Sequence, residues 1–263
     1  MNPNDEKYGR ALCRLLEIMN ELREHCPWDR EQTWESLRHL MIEETFELSD
    51  AILEGRPEEV KQELGDLLLH IVFYSKIASE QGIFDLAEVM ETLCDKLIFR
   101  HPHVFGGAPK TEKSEVQRHW ELLKLQTTEK KVLSGVPHSL PALIKALRIQ
   151  EKVRGVGFDW SNKEEVWAKI EEEMNEVKQS LTKGDQESIE SEWGDLLFSL
   201  VNYSRFLKIN PEDALEKTNK KFIRRFNELE EAIKLEGKHL SEMTLLEIDS
   251  YWEKVKKPES RKN

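Results

Sequence analysis

The sequence predicts an all-α protein built as two tandem helical bundles of similar plan. Three observations carry that expectation. Apolar residues recur at helical spacing along most of the chain, while alternating, strand-like stretches are scarce. One pattern of acids and leucines occurs twice, 129 residues apart, with nothing inserted or deleted between Glu43 and Ser75. Between the copies, Pro and Gly crowd the span Ser134-Gly135-Val136-Pro137-His138-Ser139-Leu140-Pro141, as a linker requires. The expected domains are residues 1–134 and 135–263.

The first half opens with an amphipathic helix over Ala11 to Arg23, where Leu12, Leu15, Leu16 and Met19 fall at helical spacing. Cys26-Pro27-Trp28-Asp29 breaks it. A pair of helices follows, parted at Glu54-Gly55-Arg56-Pro57 and ending near Gly82. The next helix runs from about Asp85 to Phe99, and Arg100 to Gly107 is expected as a loop. Ser114-Glu115-Val116-Gln117 is a capping box opening a helix that bears Trp120 and Lys124.

After the linker the plan restarts. Leu143 to Val153 reads as a helix, broken by Gly155-Val156-Gly157-Phe158-Asp159-Trp160 where Pro27-Trp28-Asp29 stood before. Ser161-Asn162-Lys163-Glu164 caps the next helix, Lys183-Gly184-Asp185 parts it from its partner, and the partner runs to about Leu207. Pro211 sits at the favoured first turn of a long helix that Gly237 ends. Thr244 to Glu247 caps a last helix carrying Trp252 and Lys256, so Trp-Glu-x-x-Lys closes both halves.

The repeated pattern is chemical as well as structural. Copy one reads Glu43-Glu44-Thr45-Phe46-Glu47 and then Glu63-Leu64-Gly65-Asp66; copy two reads Glu172-Glu173-Met174-Asn175-Glu176 and then Glu192-Trp193-Gly194-Asp195. Residues three apart share a helix face, so Glu44 pairs with Glu47 and Glu63 with Asp66. Antiparallel helices joined at the Gly-containing breaks bring both pairs together, and four carboxylates held close call for a divalent cation. In a chain that is 34% charged, a lone Glu-x-x-Glu is usually a solvated face. Here each second pair opens an apolar run, Leu67 to Tyr74 and Leu196 to Val201, and that weighs against a surface role.

Oxygen-only ligands suit Mg²⁺, with Mn²⁺ as a substitute, rather than Zn²⁺. Di-iron bundles need a Glu-x-x-His from each of two helices. The one such pair here, Glu236 to His239, straddles Gly237 outside the repeat. Magnesium held by carboxylates keeps waters and takes substrate phosphates, and cations for a phosphate lie nearby. Lys221 and Arg225 stand four apart on one face, matched by Lys96 and Arg100 in the first copy; a basic stripe that pairs with surface acids is the rival account. Trp252 with Lys256, and Trp120 with Lys124, offer a stacking face and a cation for a nucleotide, although tryptophan at helical spacing more often belongs to a core. Neither a dinucleotide-binding glycine motif nor a P-loop occurs.

A net charge of −12 argues against nucleic-acid polymers and anionic membranes as partners. Cys13, Cys26 and Cys94 lack metal-ligand spacing and fit reduced thiols. No signal-like N-terminus or membrane-length apolar run is evident, so a soluble cytoplasmic protein is expected.

Taken in order, Glu-Glu-x-x-Glu followed by Glu-x-x-Asp in two copies, Cys26-Pro27-Trp28-Asp29, Arg100-His101-Pro102-His103-Val104-Phe105, Val156-Gly157-Phe158-Asp159-Trp160 and Lys221-Phe222-Ile223-Arg224-Arg225-Phe226 resemble the two-domain MazG family of all-α nucleoside triphosphate pyrophosphohydrolases. The resemblance implies Mg²⁺-dependent cleavage of nucleoside triphosphates between the α and β phosphates and an intertwined homodimer. It implies Glu173, Glu176, Glu192 and Asp195 as metal ligands, with Glu44, Glu47, Glu63 and Asp66 in the other half. Glu172 then assists the attacking water, with Glu43 in its place in the other half. Lys221, Arg225, Trp252 and Lys256 hold triphosphate and base. Copy two keeps consecutive Arg224-Arg225 where copy one has Phe99-Arg100, so the C-terminal half is expected to do most of the catalysis. A helical adaptor with surface acids, or a pyrophosphatase narrow for dUTP or dCTP or acting on phosphoribosyl-ATP, is the rival expectation.

Overall fold

The computed structural model describes residues 3–106 and 131–256. The chain divides into two compact units, Met1–Glu112 and Lys113–Asn263. Every regular element among the described residues is helical, and none of those helices is long and apolar enough to cross a membrane. The capping box at Ser114 to Gln117, Trp120 and Lys124 lie outside the described residues.

The first unit contains α1 (Pro3–His25), α2 (Pro27–Glu31), α3 (Trp34–Glu54), α4 (Pro57–Glu80), α5 (Leu86–Arg100) and α6 (Pro102–Phe105). α1 starts earlier than its apolar stripe implies, because Asp5 and Glu6 in its first turn favour the positive end of the helix dipole. Two stretches expected as irregular are short helices instead, α2 and α6. Each begins at a proline, whose fixed φ suits the first helical position and whose missing N–H costs nothing there.

α3 and α4 form an antiparallel hairpin. Thr33 caps α3 in a reciprocal box with Ser36, Gly55 ends it at φ 66°, and Pro57 opens α4. Met19, Leu37, Val72, Phe73 and Ile77 are the buried core of this unit, with Leu15, Leu16 and Trp34 packed against them. Arg23 ties the elements together. Its guanidinium donates to the carbonyls of Asp29 and Gln32 and forks onto Glu80, with Nε to Oε1 at 3.1 Å and Nη2 to Oε2 at 2.5 Å. Those bonds and the Arg23 charge hold the Glu80 carboxyl below the usual carboxylate range. Cys13, Cys26 and Cys94 are free thiols.

The second unit contains α7 (Ala142–Gly155), α8 (Lys163–Lys183), α9 (Gln186–Phe206), α10 (Pro211–Leu235), a 3₁₀ turn (Leu240–Glu242) and α11 (Leu245–Lys256). α8 and α9 repeat the hairpin. The Asn162 side chain caps α8, Gly184 ends it at φ 74°, and Asp185 caps α9 by accepting from the Ser188 N–H. A left-handed residue closes each hairpin, and glycine supplies it without a Cβ penalty. α7 packs on α9 and on α10. Leu229, Ile233 and Tyr251 make a further core where α10 meets α11, covered by Leu240, Ile248, Trp252 and Val255.

Candidate active site

The hairpins carry the acids. In the first unit a carboxylate oxygen from each of Glu44, Glu63 and Asp66 lies within 4.8 Å of the others; in the second, Glu173, Glu176 and Glu192 do the same. Glu44 comes from α3 and Glu63 and Asp66 from α4, while Glu173 and Glu176 come from α8 and Glu192 from α9. The helical break in each copy therefore brings three of the four paired acids together across a hairpin, with Glu47 and Asp195 outside the tight groups.

The two sets differ in electrostatics. Burial, then the charges of Asp66, Glu47, Glu63 and Glu43, raise the Glu44 carboxyl above its ordinary range. Glu63 is raised as well, first by burial and then by Glu47 and Asp66. Glu47 thus stands close enough to act on both, although it lies outside the tight trio. In the second unit Glu173 is only 4% exposed, and Lys169 meets it at 2.7 Å and Glu172 at 2.9 Å. Those two hydrogen bonds raise the Lys169 ammonium above its ordinary range. Glu176 is raised, mainly through a hydrogen bond with Glu173. The position matching Lys169 in the first copy is Leu40, so only the second trio carries a cation there.

The family model for the MazG nucleotide pyrophosphohydrolase domain matches residues 32–105 and again 161–230, taking in both acidic hairpins. The chain belongs to the MazG family. It is 47% identical to the nucleoside triphosphate pyrophosphohydrolase/pyrophosphatase MazG of Thermotoga maritima over 92% of this chain and 94% of that one. It is 40% identical to the nucleoside triphosphate pyrophosphohydrolase of Escherichia coli K12 over 94% and 97% of the two chains. The nucleoside triphosphate pyrophosphohydrolase of Mycobacterium tuberculosis is 35% identical over 59% of this chain and 48% of its own.

The donor chemistry of both MazG hairpins fits a hard divalent cation. All donors are carboxylate oxygens drawn from facing helices, and burial together with the neighbouring carboxylates raises Glu44 and Glu63 above the ordinary range. Beside the second trio lies a cavity of about 570 Å³, whose wall includes Glu173, Asp195, Lys169, Gln150, Phe158 and Trp160. Asp195 is outside the 4.8 Å trio and faces the same space as Glu173.

The expected phosphate cations sit on other elements of the MazG chain. Lys221 and Arg224 are exposed on α10 and Arg225 is half-buried; Arg224 lies 3.7 Å from Glu228. Trp252 packs its ring 5.1 Å from that of Phe222, and Lys256 pairs with Glu253 at 2.5 Å. In the first unit Lys96 is exposed on α5 and Arg100 is half-buried at its end. Residue-by-residue comparison of the two copies misses Lys169. Its sequence signal is the spacing Lys169-x-x-Glu172-Glu173, which sets a lysine one helical turn before both acids.

Proposed function

We propose that this chain hydrolyses nucleoside and deoxynucleoside triphosphates between the α and β phosphates, using Mg²⁺ or Mn²⁺, and that the second unit carries most of the turnover. The observation that carries the proposal is the convergence of Glu173, Glu176 and Glu192 beside a cavity large enough for a nucleoside. The names of the relatives from Thermotoga maritima and Escherichia coli support the same activity.

Glu173, Glu176, Glu192 and Asp195 would hold the cation in the second unit, and Glu44, Glu47, Glu63 and Asp66 in the first. A cation so held neutralises phosphate charge and lowers the pKa of nearby water. Lys169 pairs with the buried Glu173 at 2.7 Å and fixes its carboxylate in place. Glu172, exposed beside Glu173, takes the proton that the attacking water gives up. Water adds across the α–β anhydride, the bridging P–O bond breaks, and pyrophosphate departs with the added charge. Lys221, Arg224 and Arg225 offer positive charge to that leaving group, with Lys96 and Arg100 in the corresponding place of the first unit. Trp252 and Lys256 then hold the base end, as Trp120 and Lys124 would in the first half. No protein nucleophile is required.

Product analysis tests this. Mixed triphosphates incubated with protein and Mg²⁺ are expected to give monophosphate and pyrophosphate, and EDTA is expected to stop the reaction. Diphosphate with orthophosphate would mean that another bond is cut and would end the proposal.

The working form is proposed to be a cytoplasmic homodimer, without membrane or nucleic-acid polymer as partner. Phe46, Leu64 and Leu68 on the first hairpin and Trp193, Leu197 and Leu200 on α9 are exposed, more apolar surface than a lone protomer ordinarily leaves in water. Sedimentation equilibrium is expected to return twice the 30.9 kDa chain mass; a single-chain mass at micromolar concentration would exclude the dimer.

A further inference from the structure

The apolar stripe of α10 runs on past the core that it serves. Phe222, Phe226, Leu229 and Ile233 fall at helical spacing along one face. Leu229 and Ile233 are buried with Tyr251 of α11, Phe226 is half-buried, and Phe222 at the far end is 54% exposed. That exposed end has a partner. The Phe222 ring lies 5.1 Å from the Trp252 ring at an angle of 49°, and 6.1 Å from the Phe226 ring at 14°. Both spacings fall where aromatic rings attract through tilted or offset faces. Trp252 is therefore held twice: it packs on the buried cluster of Leu229, Ile233 and Tyr251, and Phe222 fixes the tilt of its ring.

The place of Phe222 beside the cations gives this contact a use. Lys221 and Arg225 form one ridge of α10 and Phe222 and Phe226 the next, so a cationic and an aromatic ridge run side by side. Lys256 stands one turn beyond Trp252 on α11. Packing alone does not call for aromatic rings at these positions. In the first unit, with Lys96 and Arg100 in register with Lys221 and Arg225, the residues in the places of Phe222 and Phe226 are Leu97 and His101. The aromatic pair is thus a property of the second unit.

We propose that Phe222 is a positioning residue for nucleotide binding. It sets the orientation of the Trp252 indole, so that a base stacked there lies at a fixed reach from the phosphate end at Lys221 and Arg225. Stacking uses the face of a base and leaves its edges unread, so Phe222 acts on purine and pyrimidine nucleotides alike. This inference rests on the proposed hydrolysis and on Trp252 as a holder of the base.

The test compares the full chain with Phe222→Leu, Phe222→Tyr, Trp252→Ala and the Phe222→Leu/Trp252→Ala double variant. The readouts are kcat and KM for ATP, GTP, CTP and UTP, and inhibition by inorganic tripolyphosphate, which offers phosphates and no base. Phe222→Leu is expected to raise KM about fivefold for every nucleotide, with kcat and tripolyphosphate inhibition within about twofold of wild type. Phe222→Tyr, which keeps the ring, is expected to restore the wild-type KM. Because Phe222 acts through Trp252, the double variant is expected to have the same KM as Trp252→Ala alone. Loosened packing of α10 on α11 would instead displace Lys221 and Arg225 as well. Tripolyphosphate inhibition would then weaken with KM, and the two losses would add; that pattern overturns the inference, as does an unchanged KM in Phe222→Leu. If Trp252→Ala leaves every KM unmoved, the base is held elsewhere and the inference falls while the hydrolysis stands. Absence of metal-dependent turnover of every triphosphate would strike the proposed function itself, and this inference with it.

Discussion

Replacing Glu173 and Glu176 together by alanine is expected to lower triphosphate turnover by on the order of 10³-fold. The change strips two of the three carboxylates whose oxygens converge in the second unit and leaves Glu192 alone in that trio. It also frees Lys169 from its buried partner and leaves it only Glu172. The matched change of Glu44 and Glu47 is expected to leave turnover within about threefold of wild type, because sites without shared partners act independently. Steady-state pyrophosphate release, measured beside helical content by circular dichroism, separates loss of chemistry from loss of fold. Should the first-unit pair abolish turnover and the second-unit pair spare it, the catalytic half would be the other one.

Leu229→Ala is the substitution expected to cost the fold most, about 2–5 kcal/mol. Leu229 is fully buried where α10 meets α11, in contact with Ile233 and Tyr251. A truncated side chain there leaves a void that two helices held by one small cluster cannot easily close. The same cluster carries Trp252, and α10 carries Lys221 and Arg225, so loosening it displaces the proposed phosphate cations while the acids stay in place. Denaturant unfolding of the purified chain checks the size of the effect. A loss under about 1 kcal/mol would mean that the α10–α11 contact contributes little to stability.

The hairpins are legible in the sequence because their cues are local. A Gly-containing break in each copy, side-chain caps at the starts of α3, α8 and α9, and a proline opening α4 mark the two hairpins locally. The extents of α1, α2 and α6 were less legible, since proline and first-turn acids extend or nucleate a helix that the apolar period does not mark. Lys169 is unmarked in the sequence for a different reason. A lysine among acids on a helix is ordinarily a solvated pair, and only the burial of Glu173 turns this one into part of a site. Gln150 gives no local sign at all. Its position depends on the packing of α7 against α9, whose contacting residues are 48 positions apart.

The two left-handed glycines have a metrical consequence. Gly55 stands eleven residues after Glu44 and eleven before Asp66, and Gly184 bears the same relation to Glu173 and Asp195. Two arms leaving a common turn advance about 1.5 Å per residue, so equal counts return the paired acids to one level, about 16 Å from the bend. One residue inserted into either arm would lift its acid by about 1.5 Å and swing it by about 100° around the helix. Arm length is therefore a stricter requirement than the identity of most residues along it: exposed positions on the arms tolerate exchange, while a single insertion or deletion dismantles the centre without touching any of its ligands.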